Sequence, residues 1–243
     1  MSISVNKYLQ ENFEDGPSIF VLVDPDDITP ENAVKVSKKS EELGVDSLML
    51  GGSLGAQGAL VEKISTSLKE GSDLPVILFP GSSGGVSKKA DAIFFMSLLN
   101  SRNPHYIIGS QAQGAPIIKK YGIETLPMGY LVVEPGKAVG WVGDVNPFPR
   151  DKPEIISAYA LAAQYLGMEY VYLEAGSGAE NPVPSKIVKA VRKAVEIPII
   201  VGGGIKTGEQ AKKLVKSGAN AIVTGTAVEE DLNNIKRLTE AIK

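Results

Sequence analysis

Three consecutive glycines, Gly202-Gly203-Gly204, follow the apolar run Ile197-Pro198-Ile199-Ile200-Val201, and Gly225-Thr226 comes a strand-plus-helix later. A buried strand that ends in glycines brings backbone N–H groups close to a ligand, because no Cβ holds the ligand off. Two such turns in succession near the C-terminus suggest a phosphate site. In a (β/α)8 barrel, phosphate groups recur at the loops after strands seven and eight, beside the N-terminus of a short extra helix. The segment Gly225-Thr226-Ala227-Val228-Glu229-Glu230 is the candidate for that helix.

Strand-end carboxylates are scarce. Asp24 closes the run Phe20-Val21-Leu22-Val23 and points toward the face where barrel enzymes do chemistry. As a hard oxygen ligand it suits Mg²⁺, which takes one or two carboxylates plus phosphate and water. An Asx-type turn leading into Thr29-Pro30 is the other use of such a residue, and Asp26 or Asp27 would serve there equally well. Ser53, after Gly51-Gly52, could add a neutral oxygen to the same ion or act only as a turn residue.

In Tyr170-Val171-Tyr172-Leu173-Glu174-Ala175-Gly176-Ser177-Gly178, a period of two puts Tyr172 and Glu174 on one side, opposite Val171 and Leu173. A carboxylate and a phenol facing a barrel interior are costly to bury without partners. Glu174 is therefore the candidate general base, with Tyr172 bonding the substrate or orienting that base; a mutually satisfied pair without chemistry is the alternative. The sole histidine, His105, is expected at the surface just before a helix. No lysine ends a strand, which argues against a Schiff-base aldolase, and the absence of cysteine excludes disulfides, thiolate metal sites and a cysteine nucleophile. Asp24-Pro25-Asp26-Asp27 also lacks the DDxxD spacing of the helical prenyl-diphosphate synthases.

The elements that must position these residues follow from the pattern. With 243 residues and 43% hydrophobic content, the chain suffices for one domain, residues 1–243, near the ~250 residues of a typical barrel. A net charge of −3 gives no electrostatic footprint for nucleic acid, and no run approaches the ~18 apolar residues of a membrane span. The first 15 residues are polar rather than signal-like, so a cytoplasmic protein is expected. Apolar runs at 19–24, 47–51, 76–80, 92–96, 125–133, 170–174, 197–201 and 221–225 alternate with segments of helical period, predicting eight parallel strands and an α/β fold, the (β/α)8 TIM barrel.

Thr29-Pro30 reads as a helix start closed by Gly44, and Thr207 with Gln210 has capping-box spacing. Ile187, Val188, Val191, Ala194 and Val195 form one helical face, as do Ile155, Ile156, Tyr159, Ala160 and Ala163, and both should pack on the barrel wall. Between strands three and four, Gly81-Ser82-Ser83-Gly84-Gly85-Val86-Ser87-Lys88-Lys89 is too short and glycine-rich for a barrel helix. Either the connection is merely shortened, or helix three is missing and a long apolar ligand lies in the gap. Residues 137–153 form a second irregular insertion; its Trp141 is either a local plug or an interface anchor.

With Asp24, Ser53, the Tyr-Leu-Glu-Ala-Gly-Ser-Gly run, Gly202-Gly203-Gly204 and Gly225-Thr226 in one order, the chain resembles the geranylgeranylglyceryl phosphate synthase family over essentially its whole length. Val76-Ile77-Leu78-Phe79-Pro80-Gly81 and Leu98-Leu99-Asn100-Ser101 share in the likeness, which is to the archaeal members of the larger of the family's two groups. The resemblance implies a barrel with helix three replaced by a short glycine-rich segment. It also implies an Mg²⁺-dependent prenyltransferase that joins sn-glycerol 1-phosphate to geranylgeranyl diphosphate, making the first ether bond of archaeal membrane lipids. By position it makes Asp24 and Ser53 the Mg²⁺ ligands. The glycerol-phosphate site then comprises Tyr172, Leu173, Glu174, Ala175, Gly176, Ser177, Gly178, Gly203, Gly204, Gly225 and Thr226. Glu174 and Tyr172 would be catalytic, and a homo-oligomer is expected. The alternatives are a heptaprenylglyceryl phosphate synthase, a metal-independent phosphosugar isomerase or lyase, and a non-catalytic phosphate-ligand-binding barrel.

Overall fold

The computed structural model describes residues 4–52, 58–225 and 233–243. Eight parallel strands close into a barrel in sequence order: β1 (Ser18–Val23), β2 (Ser47–Leu50), β3 (Val76–Leu78), β4 (Ala92–Leu98), β5 (Glu124–Val132), β6 (Tyr170–Glu174), β7 (Ile199–Gly202) and β8 (Ala221–Thr224). The expected strand order and positions hold, with ends shifted by a residue or two; β7 begins at Ile199 because Pro198 cannot donate to the ladder.

Alternation sorts each strand into two cores. Inward positions such as Phe20, Met49, Ile77, Phe94, Met128, Tyr130, Tyr172 and Ile200 fill the barrel. Outward positions such as Val21, Leu50, Leu131, Val171, Leu173 and Val201 form the wall on which the helices pack.

Among the described residues, eight α-helices precede the last strand. They are α1 (Val5–Asp15), α2 (Pro30–Glu42), α3 (Ala59–Gly71), α4 (Ser110–Tyr121), α5 (Lys137–Val142), α6 (Pro153–Tyr165), α7 (Ser185–Ala194) and α8 (Gly208–Lys216). A further helix, Asn233–Ile242, ends the chain. The predicted start signals are real. The Thr29 hydroxyl accepts from Asn32 N ahead of Pro30, and Thr207 and Gln210 form a complete capping box.

Ile187, Val188 and Val191 are buried as expected. On α6 the wall is met by Ile156, Ala160 and Ala163, whereas Ile155 and Tyr159 are exposed. The helical turn carries those two onto a neighbouring stripe, so the expectation for them was wrong, although the Tyr159 ring still packs on Phe148 at 4.9 Å.

No α-helix joins β3 to β4; a single 3-10 turn, Ser83–Gly85, takes its place. The chain then runs from β4 through a π-helical turn, His105–Gly109, into α4, and His105 is exposed as expected. The insertion after β5 is more regular than its composition suggests, since it contains α5 and the start of α6. It is tied to the β4 end by the Asn100 amide, which donates to Val132 O and Asn146 O at 2.8 and 2.9 Å, and by the Ser101 hydroxyl, which donates to Gly143 O at 2.6 Å. Helix α1, which the polar N-terminal sequence concealed, closes the bottom of the barrel: its first N–H groups donate to the Glu124 carboxylate, and Val5 and Leu9 join the interior core.

Candidate functional site

The C-terminal ends of the strands surround the mouth of the barrel, and the mouth continues into a groove with a cavity volume of about 220 Å³. Asp24, Asp27, Gly51, Gly52 and Gly225 line the groove on one side, and Tyr130, Glu174 and Ser177 on another. It then runs out between Pro80, Val86, Ile93, Phe95, Gly114 and Ile118, through the gap left by the missing helix. The carboxylates are thus confined to the mouth, and the far reach is lined by apolar side chains together with the uncharged Ser82, Ser83, Ser110 and Gln111.

Glu174 ends β6 and is only 6% exposed. Its Oε1 accepts from Gly176 N at 2.6 Å and its Oε2 from the Tyr130 hydroxyl at 3.2 Å, while the Tyr172 phenol bonds it as well. Burial pushes its carboxyl above the usual glutamate range, and the Gly176, Tyr130 and Tyr172 donors partly pull it back. Beside that carboxylate, burial first and the negative charge second hold both phenols well above the usual tyrosine range, so they remain donors. Such a carboxylate is oriented by its donors and basic enough to accept a proton from a bound hydroxyl.

The glycines beside it are required by space. A Cβ on Gly203 would overlap Glu174 Oε1, and one on Gly202 would overlap the Tyr172 hydroxyl. Gly203 and Gly204 also adopt φ of +82° and +71°. Gly203→Val should therefore displace the base as well as crowd the phosphate turn. For the two substrates that the family resemblance implies, glycerol phosphate affinity and turnover should fall while prenyl diphosphate binding is retained; binding titrations of both ligands check this, and equal loss of both in a folded variant contradicts it.

Asp24 lies just past β1, half-buried, with Oδ1 accepting from Asp26 N at 3.0 Å. Burial raises its pKa, the Asp26 hydrogen bond opposes the shift, and the charges of Asp27 and Asp26 add to it. A Cβ on Gly52 would overlap Asp24 Oδ2, so the glycine makes room for the carboxylate at the mouth. A half-buried carboxylate with one oxygen bonded to backbone, crowded by two more negative charges, fits a divalent cation, which would relieve that repulsion. No cluster of three or more candidate metal ligands from His, Cys, Asp and Glu occurs among the described residues.

The predicted site residues separate into three sets. Asp24, Glu174, Ser177 and Gly225 line the groove; Tyr172, Gly176 and Gly203 abut Glu174 without lining it, and Gly178 and Gly204 lie in the turns behind. Leu173 and Ala175 turn their side chains into the wall core, leaving only their backbone to the site, as alternation requires. Ser53, Thr226 and the proposed short helix after it lie outside the described residues. Three contributors escaped the sequence. Tyr130 sits on β5 directly opposite Tyr172, and the period of two along Met128, Tyr130 and Val132 was its signal. Asp27, which the sequence suits to a turn, and Phe79, which it places in an apolar strand and in the segment that carries the family likeness, also line the groove.

Residues 12–242 match the PcrB family. Geranylgeranylglyceryl phosphate synthase of Pyrococcus horikoshii is 59% identical over 241 residues, covering 98% of this chain and 95% of the relative. The protein of that name from Thermococcus gammatolerans is 59% identical over 226 residues, covering 93% and 90%. The crystal structure of (S)-3-O-geranylgeranylglyceryl phosphate synthase from Thermoplasma acidophilum, in complex with its substrate sn-glycerol-1-phosphate, superposes with a TM-score of 0.97 at 41% identity, covering 100% of this chain and 99% of the other.

Proposed function

The chain belongs to the PcrB family, and from that premise we propose that it is a geranylgeranylglyceryl phosphate synthase, transferring a geranylgeranyl group from its diphosphate to sn-glycerol 1-phosphate. The observation that carries this reading is the groove joining Asp24 and Glu174 at the mouth to a largely apolar channel where no α-helix joins β3 to β4. A phosphosugar isomerase has no use for that channel.

The glycines after β7 and β8 would hold the glycerol phosphate; Gly203 and Gly204 are partly buried and adopt positive φ, which glycine takes without strain. The glycerol 3-hydroxyl lies against Glu174, and the prenyl tail lies along Phe95, Ile93 and Ile118 away from water. The C1–O bond of the prenyl diphosphate breaks with its electron pair leaving on diphosphate, the hydroxyl oxygen bonds to C1, and Glu174 takes the hydroxyl proton. Tyr130 and Gly176 keep the base aimed while this occurs. Asp24, with Ser53 and substrate oxygens, would hold Mg²⁺, whose contribution is to neutralise the charge that gathers on the leaving diphosphate. Incubation with labelled geranylgeranyl diphosphate and glycerol phosphate should move label into an ether-linked phosphate and stop on chelation; transfer that survives chelation removes the metal from the account.

The proposal includes a homo-oligomer. Trp141 is 89% exposed, which rules out a local plug, and Tyr165 and Leu166 at the end of α6 are 77% and 72% exposed. Large apolar side chains so displayed suit a protein interface. Trp141→Ala should lower the mass seen by light scattering and leave the circular-dichroism signal intact. An unchanged mass counts against the interface.

A further inference from the structure

Phe79 follows β3 and lines the groove, yet no step above uses it. Its backbone is fixed beside the β2 end: Phe79 N donates to Leu50 O at 2.8 Å, and a Cβ on Gly51 would overlap Phe79 O. The next residue along, Gly52, is the one that makes room for the Asp24 carboxylate. From this anchor the ring reaches across the barrel to the partners of Glu174. It stacks on Tyr172 at 5.3 Å with an interplanar angle of 29°, and meets Tyr130 nearly perpendicularly at 5.5 Å. Tyr130 and Tyr172 are themselves 5.1 Å apart. Tyr172 is 1% exposed and does not line the groove, whereas Phe79, stacked on it, does. Phe79 therefore lies between the β2 end, where Gly52 makes room for Asp24, and the two tyrosines that bond Glu174.

That interval is where C1 of the prenyl chain must lie, and it is where positive charge develops as the allylic C–O bond breaks before the new one forms. A neutral aromatic face attracts such charge without capturing it, whereas a carboxylate placed there would form an ester with the cation. We propose that Phe79, braced by Tyr130 and Tyr172, is a catalytic residue whose ring stabilises the allylic cation. This rests on the prenyl-transfer reading above. The balance is unchanged: the electron pair leaves on diphosphate, the hydroxyl oxygen supplies the new pair to C1, and the proton goes to Glu174.

The test is a nearly isosteric series at position 79 in the full-length protein, with 4-fluoro-, 3,5-difluoro- and 3,4,5-trifluorophenylalanine, which weakens the ring quadrupole while keeping its volume. Single-turnover rates with geranylgeranyl diphosphate and glycerol phosphate should fall progressively, reaching roughly tenfold or more at trifluoro. Geranylgeranyl diphosphate affinity should hold. Phe79→Leu, checked by circular dichroism for folding, should lose at least as much in rate. A flat fluorine series, or one in which rate follows only affinity, overturns the role of Phe79. Failure of the unmodified protein to form any ether product would instead remove the prenyl-transfer reading itself, so the two failures are distinguishable.

Discussion

Glu174→Gln is expected to lower turnover by roughly 10²-fold or more while glycerol phosphate still binds. The amide can keep accepting hydrogen bonds on its oxygen, but it cannot take a proton. Its nitrogen, however, would face either Gly176 N–H or the Tyr130 hydroxyl, each of which now donates to a carboxylate oxygen, so one donor must turn away or lose its partner. The pH profile carries a second signature. Burial holds the Glu174 carboxyl above the ordinary glutamate range, and a base works only when ionised. The rate of the parent protein should therefore fall on acidification through that raised value, at higher pH than an exposed glutamate would give, and the residual rate of the variant should lack this limb. Calorimetric titration with glycerol phosphate, beside kcat against pH, measures both. Near-normal turnover would end the assignment of Glu174 as the base.

Asp24→Asn should act on the other substrate. Removing the charge also removes the repulsion among Asp24, Asp26 and Asp27 that a cation would relieve. The Mg²⁺ concentration for half-maximal rate should rise by roughly tenfold or more, prenyl diphosphate should bind more weakly, and glycerol phosphate affinity should be unchanged. Because Asp24 lies at the mouth and outside the hydrophobic cores, the variant should fold. An Mg²⁺ dependence equal to that of the parent would show that Asp24 is not a ligand.

The strands were legible because nearly every one is an apolar run bounded by turn residues, and the inward side of β6 was legible because Tyr172 and Glu174 obey a period of two. The missing helix was legible as a length, since nine glycine-rich residues cannot make a barrel helix. What escaped was anything set by distant partners. Helix α1 buries only Val5 and Leu9, too few to mark an amphipathic stripe, and its place is fixed by Glu124 more than a hundred residues away. Tyr130 reads as one more strand aromatic until β5 and β6 are in register, when it falls opposite Tyr172 and within reach of Glu174. Ile155 and Tyr159 show the converse: helical period predicts which residues share a side of α6, but the contact with the barrel decides which stripe is buried.

The central claim is that one groove brings a prenyl diphosphate and glycerol phosphate together for ether formation. The most direct measurement is mass spectrometry of the lipid formed from sn-glycerol 1-phosphate and a ladder of prenyl diphosphates, with released diphosphate counted in parallel. One ether-linked prenylglyceryl phosphate per diphosphate released is expected, with the geranylgeranyl donor preferred. Diphosphate released as free prenyl alcohol with glycerol phosphate unconsumed, or no release from any donor, would contradict it.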